Sequence, residues 1–248
     1  IMRKKTICSF FIFTIVALCI VSSQSVAGQF ESFLNSLKQA AGQSSTLSTD
    51  EMVSGLKEAL EVGTGKAVAV LEKPGGYSLN PQVKIPLPES VEKIKGVLQA
   101  VGYGPQLEAF DKSMNTAAEA AAPKAKAIFL DSIKKMSISD AGKIIKGSDT
   151  AATDYLREKS STSLTEVFRP IIHDSMSQVG TTSKYQALTQ QIKSLPFTKG
   201  LNLDLDDYVT DGALKGLFFM LGQEEMKIRQ DPAARSTELL KKVFGSAS

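Results

Sequence analysis

One stretch constrains this chain more than any other. Between Pro105 and Met136 the apolar residues recur with helical spacing. At about 100° per residue, Leu107, Phe110, Met114, Ala117, Ala118, Ala121, Ala125, Ile128, Phe129 and Met136 fall on one side of a helix. Pro105 suits a first helical position, where a missing N–H costs nothing. The middle of the stripe is nearly all alanine, which favours helix and lets a second helix approach closely. Pro123 interrupts the run and removes one backbone hydrogen bond. It lies on the far side from the stripe, which predicts a bend convex toward solvent. The expectation is an all-α domain built around a curved central helix over about 105–136, or around two helices stacked end to end.

The N-terminus reads as an export signal. Arg3, Lys4 and Lys5 precede an apolar run from Ile7 to Val21, short of the ~20 residues that span a bilayer. Ser25-Val26-Ala27 is a small-x-small cleavage site, so residues 1–27 are expected to leave and Gly28 to begin the mature chain. Cys8 and Cys19 would leave with them. The remainder then has no thiolate for catalysis or metal binding and no disulfide. Charge follows the same division. Three of the 29 basic residues lie in the signal, leaving 26 against 26 acids. A neutral chain lacks the basic face that nucleic acid requires.

Residues 28–47 read as an amphipathic arm (Phe30, Phe33, Leu34, Leu37) followed by a Gly42–Thr46 linker, and 48–248 as the helical domain. Ser48 and Glu51 form a capping box for a helix carrying Val53, Leu56, Leu60, Ala67 and Leu71 inward. Within it, Gly63-Thr64-Gly65-Lys66 mimics the end of a phosphate loop. Leu60 and Ala67 stand where that motif needs glycine and a hydroxyl. About 73–89 is an irregular Pro-rich strap in which Val83, Ile85 and Leu87 alternate as in an extended strand.

Beyond the strap, Val91, Ile94, Val97, Leu98 and Val101 restore helical spacing up to Gly102. Ser137 and Asp140 predict another cap, with Ile144 and Ile145 ending at Gly147. Asp149 should open a helix with Ala152, Tyr155 and Leu156. Ser163 and Glu166 suggest a separate start for one that closes at Gly180. Tyr185, Leu188 and Ile192 mark another helix. Leu214, Leu217, Phe218, Leu221 and Ile228 mark the best-defined one, and Leu239, Leu240, Val243 and Phe244 a last. No sheet is expected.

Several phrases resemble one bacterial family, the domain of unknown function (DUF) 4197. They are Leu56-Lys57-Glu58-Ala59-Leu60 with Gly63-Thr64, Asn80-Pro81 with Ile85-Pro86-Leu87-Pro88, and Met114-Asn115-Thr116-Ala117-Ala118-Glu119-Ala120-Ala121. Tyr208-Val209-Thr210 leading to Gly216-Leu217-Phe218, then Ile228-Arg229, then Leu240-Lys241-Lys242-Val243-Phe244-Gly245 complete the set. The resemblance covers nearly the whole chain from Ser48. It implies an exported helical protein of the bacterial envelope. It supplies no chemistry that can be carried to any position.

The sequence nominates no catalytic, cofactor-binding or metal-ligating residue. His173, the sole histidine, falls opposite the apolar stripe beside Glu166, Arg169 and Ser177, so it is expected in water with an ordinary pKa. Asp204, Asp206, Asp207 and Asp211 miss the calcium-loop spacing and fit helix capping. Glu225 stands out, because it lies near the centre of an apolar stripe. A carboxylate there must be paired, neutralised or facing a polar cavity. Arg229, one turn on, makes a structural ion pair one reading, with Arg235 able to fold back across Pro232. A polar anchor inside an apolar ligand groove is the other.

The functional expectation is a non-catalytic helical binding or scaffold module of the periplasm, with outer-membrane association allowed. Its partner would be another envelope protein or a hydrophobic ligand. A lipid carrier with a cavity between central helix and strap is the alternative. A hydrolase using carboxylates such as Glu119 or Glu225 is the second. The balance is against an enzyme.

Overall fold

The computed structural model describes residues 48–178, 180, 185, 204–235 and 241. The expectations for the signal, the arm, Leu188, Ile192 and the terminal helix from Leu239 lie outside the described residues. Within them there is no strand. The α-helices in chain order are α1 (Thr49–Leu71), α2 (Glu89–Glu92), α3 (Lys95–Ala100), α4 (Gly104–Ala121), α5 (Ala125–Lys134), α6 (Ile138–Ile145), α7 (Ala151–Gln178) and α8 (Leu205–Gln230).

The stripe from Pro105 forms α4 and α5, which are stacked end to end. One 3₁₀ turn, Ala122–Lys124, joins them at Pro123, and the proline ring is exposed. The helix tightens where the proline removes its hydrogen bond and resumes at Ala125. Met114, Ala117, Ala118, Ala121, Ala125 and Phe129 are fully buried. Against this axis pack α1, α7 and α8, so the alanine-lined side is covered by helices all round.

Both local caps beside the core form as spaced. The Ser48 hydroxyl accepts the Glu51 N–H at 3.2 Å while the Glu51 carboxylate accepts the Ser48 N–H at 2.9 Å. Ser137 and Asp140 do the same at the start of α6. The phosphate-loop mimic lies inside α1. Gly63 faces Ile228 of α8, and the Thr64 hydroxyl donates to the Leu60 carbonyl at 2.7 Å.

Two expectations about helix boundaries need correction. Ser163 and Glu166 do not start a helix, because α7 runs unbroken for 28 residues. Its hydroxyl residues bond inside the helix instead: Ser160 to the Leu156 carbonyl, Ser161 to Arg157 and Thr165 to Ser161. A serine satisfied four residues back has no need of a terminus. The helix expected over Val91–Val101 is two short pieces, α2 and α3. Val97 and Val101 face solvent at 55% and 63% exposure, and Gly102 ends α3 at φ +90°.

Candidate functional site

The strap after α1 is where local propensity gives way to tertiary fastening. Val83, Ile85 and Leu87 are buried while Lys84 and Pro86 are exposed, the alternation of an extended segment. Its partner is the side of α4. Glu119, buried on α4, places one oxygen, Oε1, where it accepts from the Gly75, Tyr77 and Ser78 N–H groups at 3.1–3.2 Å and from the Ser78 hydroxyl at 3.1 Å. One turn nearer the start of α4, Asn115 grips Ile85 from both sides. Its Oδ1 accepts the Ile85 N–H at 2.8 Å and its Nδ2 donates to the Ile85 carbonyl at 3.0 Å. Two side chains four residues apart thereby replace a missing strand.

The opposite wall of the strap is α8, which makes room with glycine. A Cβ at Gly216 would stand 2.7 Å from the Tyr77 ring and 3.1 Å from Val83, and one at Gly212 would stand 3.0 Å from Ile85. The Tyr77 hydroxyl reaches the Ala213 carbonyl at 2.8 Å. Burial, and next the charge of Glu119, push its pKa far above 10.0, so it remains a donor. Gly216→Ala is expected to lower stability by about 1–3 kcal/mol. Gly142→Ala on α6, where a Cβ meets nothing within 4 Å, should be neutral or stabilising. Urea titration of the two variants checks the contrast.

Glu225 and Arg229, nominated from the sequence, are brought together at 2.9 Å. The carboxylate also accepts the Ala152 N–H at 3.0 Å, the Thr153 N–H at 2.8 Å and the Thr153 hydroxyl at 2.8 Å. It therefore caps the first turn of α7 from another helix, where a negative charge is favoured. Arg229 extends the clamp by donating to the Ile144 carbonyl at the end of α6 at 2.9 Å. The pair ties the α6–α7 junction to α8. The cavity beside it, lined by Leu56, Leu60, Gly63, Leu221 and Ile228, holds about 20 Å³, room for about one water and no ligand. Arg235 does fold back, but onto the Ile228 and Arg229 carbonyls, where it closes the end of α8.

His173 is exposed as expected, yet it has a partner. Its Nδ1 lies 2.7 Å from Asp206. One turn back, Arg169 pairs with Asp204 at 3.0 Å and Asp207 at 3.1 Å. Asp204 caps α8 through the Asp207 N–H. The expectation of an ordinary imidazole pKa is corrected: hydrogen bonding to Asp206, then its charge, raises it above 6.5. A raised folded value means the pair stabilises fully below the unfolded pKa of about 6.5. That contribution disappears as pH rises through the folded value. The single histidine gives one imidazole signal to follow by NMR; its midpoint should lie above 6.5 and return toward it in Asp206→Asn.

An open concavity lies where strap and α4 part. It encloses about 440 Å³ between Pro81, Lys84, Pro86 and Leu87 on the strap, Glu92, Lys95 and Gln99 on α2–α3, and Leu107, Glu108 and Asp111 on α4. Its floor is apolar, with Leu87 and Leu107 at 8% and 3% exposure. Its rim is charged: Lys84 meets Asp111 at 2.7 Å and Lys95 meets Glu92 at 3.1 Å. Sequence reasoning required a cavity between helix and strap only for the carrier alternative, and did not identify Asn115, or the strap-holding role of Glu119. The available signal was a polar pair four residues apart among alanines, matched by two glycines four apart on α8. Glu119 and Glu225, named as possible acid–base groups, share no partner and serve separate junctions.

No helix among the described residues is long and apolar enough to cross a membrane. No curated protein and no solved structure matches the chain. The profile of one family, described as "Protein of unknown function (DUF4197)", matches residues 46–245. Those residues include the strap, both clamps and the groove, and the chain belongs to that family.

Proposed function

We propose that this is an exported, non-catalytic binding or scaffold module of the bacterial envelope that engages its partner at the groove between strap and α4. The observation that carries the reading is the way the polar interior is used. Glu119 fastens the strap and Glu225 fastens the α6–α7 junction, which leaves neither poised to move a proton at an open surface. Beside the fastened strap lies a concavity with an apolar floor and a charged rim, the anatomy of a small recognition surface. A lipid carrier needs an apolar cavity of several hundred Å³, whereas the rim here carries Lys84, Glu92, Lys95, Glu108 and Asp111. The basic, apolar and small-x-small pattern of residues 1–27 supports export.

Photocrosslinking in living cells tests this. A benzophenone side chain at Gln99, on the groove wall, should give a discrete adduct in the periplasmic fraction. The same group at Lys126, exposed on α5, should not. The captured chain should begin at Gly28 by intact mass. An uncleaved chain in the cytoplasmic fraction, or adducts independent of position, would overturn the reading.

A further inference from the structure

The segment Ile85-Pro86-Leu87-Pro88 is an extended chain whose backbone N–H donors lie on a single edge; the Pro86 carbonyl, facing the other way, accepts from the Tyr208 hydroxyl at 3.1 Å. In an extended strand the N–H and C=O of one residue point to the same side, and those of the residue two places on point there as well. Pro86 and Pro88 have no N–H to offer, so Ile85 and Leu87 supply the donors. The Asn115 amide takes both groups of Ile85 and imitates one rung of a ladder. The next rung belongs to Leu87. Among the described residues nothing bonds its N–H or its C=O, and Leu87 lines the groove.

The course of the strap explains why that rung is left. It runs antiparallel to α4, fastened at Glu119, then Asn115, then through Lys84 to Asp111. Beyond Asp111 the α4 row continues with Leu107, Glu108 and Gly104, and there the two elements separate to enclose the groove. A vacant donor–acceptor pair in register with a used one matches what a peptide group itself presents. Charge narrows the choice further. Lys84 and Lys95 are each paired within the rim. Glu108 is exposed and has no partner among the described residues, which leaves the groove one negative charge in excess.

We infer that the groove binds an extended peptide segment of a partner protein by strand addition at Leu87, with a basic side chain of that segment set against Glu108. This deepens the binding-module reading and rests on it. The strap supplies main-chain affinity, the Leu87–Leu107 floor takes an apolar side chain, and Glu108 selects charge.

The test uses the purified full chain with ¹⁵N-leucine and pools of acetylated, amidated pentapeptides with a central lysine and the other positions randomised without proline. At millimolar peptide the Leu87 amide should shift and become protected from exchange. Backbone N-methylation of the pools should abolish the effect. Glu108→Lys should weaken binding about fivefold, and a central glutamate should restore it in that variant. No shift at Leu87 with any pool, or a shift indifferent to N-methylation, overturns strand addition. So does a response to chitohexaose in place of peptide, which would make the groove a glycan site. A discrete Gln99 adduct with no peptide response leaves the binding-module reading standing and removes this inference alone.

Discussion

Glu119→Ala should be among the most damaging single substitutions in this protein, costing about 3–5 kcal/mol. The estimate comes from counting what loses its acceptor. Three backbone N–H groups and one hydroxyl converge on Oε1, and each donor left buried without a partner costs about 1–3 kcal/mol. Water reaching the loosened turn at Gly75 and Ser78, which are only partly buried, keeps the total below the simple sum. Glu119→Gln retains a carbonyl oxygen at the same place and should lose about 1–2 kcal/mol. Urea titrations should show the midpoint falling in that order. Amide exchange should accelerate first at Tyr77, Ser78 and Ile85. Equal midpoints for wild type and Glu119→Ala would show that the strap holds without its clamp.

Glu225→Ala should cost a similar amount, about 3–5 kcal/mol, for a different reason. The guanidinium of Arg229 would stay at 10% side-chain exposure after losing the Glu225 carboxylate, and breaking a buried ion pair from one side is the expensive outcome. The first turn of α7 would lose its acceptor at Ala152 and Thr153 in the same step. Removing both residues should cost less than the two single losses together, since the interaction between them is then counted once. A double-mutant cycle by denaturant unfolding measures that coupling. An unchanged midpoint in Glu225→Gln would return the residue to the ligand-anchor reading.

These two carboxylates also show how far the sequence could be read. Glu225 was identifiable because its anomaly is local: helical spacing alone puts it among Leu214, Leu217, Phe218 and Leu221, and Arg229 one turn on. The caps at Ser48 and Ser137 are local in the same sense, being closed within four residues. The strap is not. Its donors lie 41–44 residues from Glu119, and Tyr77 lies 136 residues from the carbonyl it bonds. Glu119 gave no periodic sign of that task, so it entered only as a possible acid. Ser163 misled for the converse reason. A serine three residues before a glutamate suits a helix start, yet its neighbours serve equally well inside a helix once their hydroxyls turn back to the preceding turn. The pKa of His173 depended on Asp206, 33 residues on, which only the packing of α7 against α8 brings into range.

The seating of the strap between α4 and α8 has a bearing on the order of assembly. Tyr77 and Val83 rest on a surface that Ala213 and Gly216 provide, so the first third of the domain cannot reach its final packing until α8 has been released. Contacts this distant along the chain, from the strap to α8, defer completion. A polypeptide emerging gradually would therefore hold its strap unseated, and its groove unformed, until α8 became free to pack.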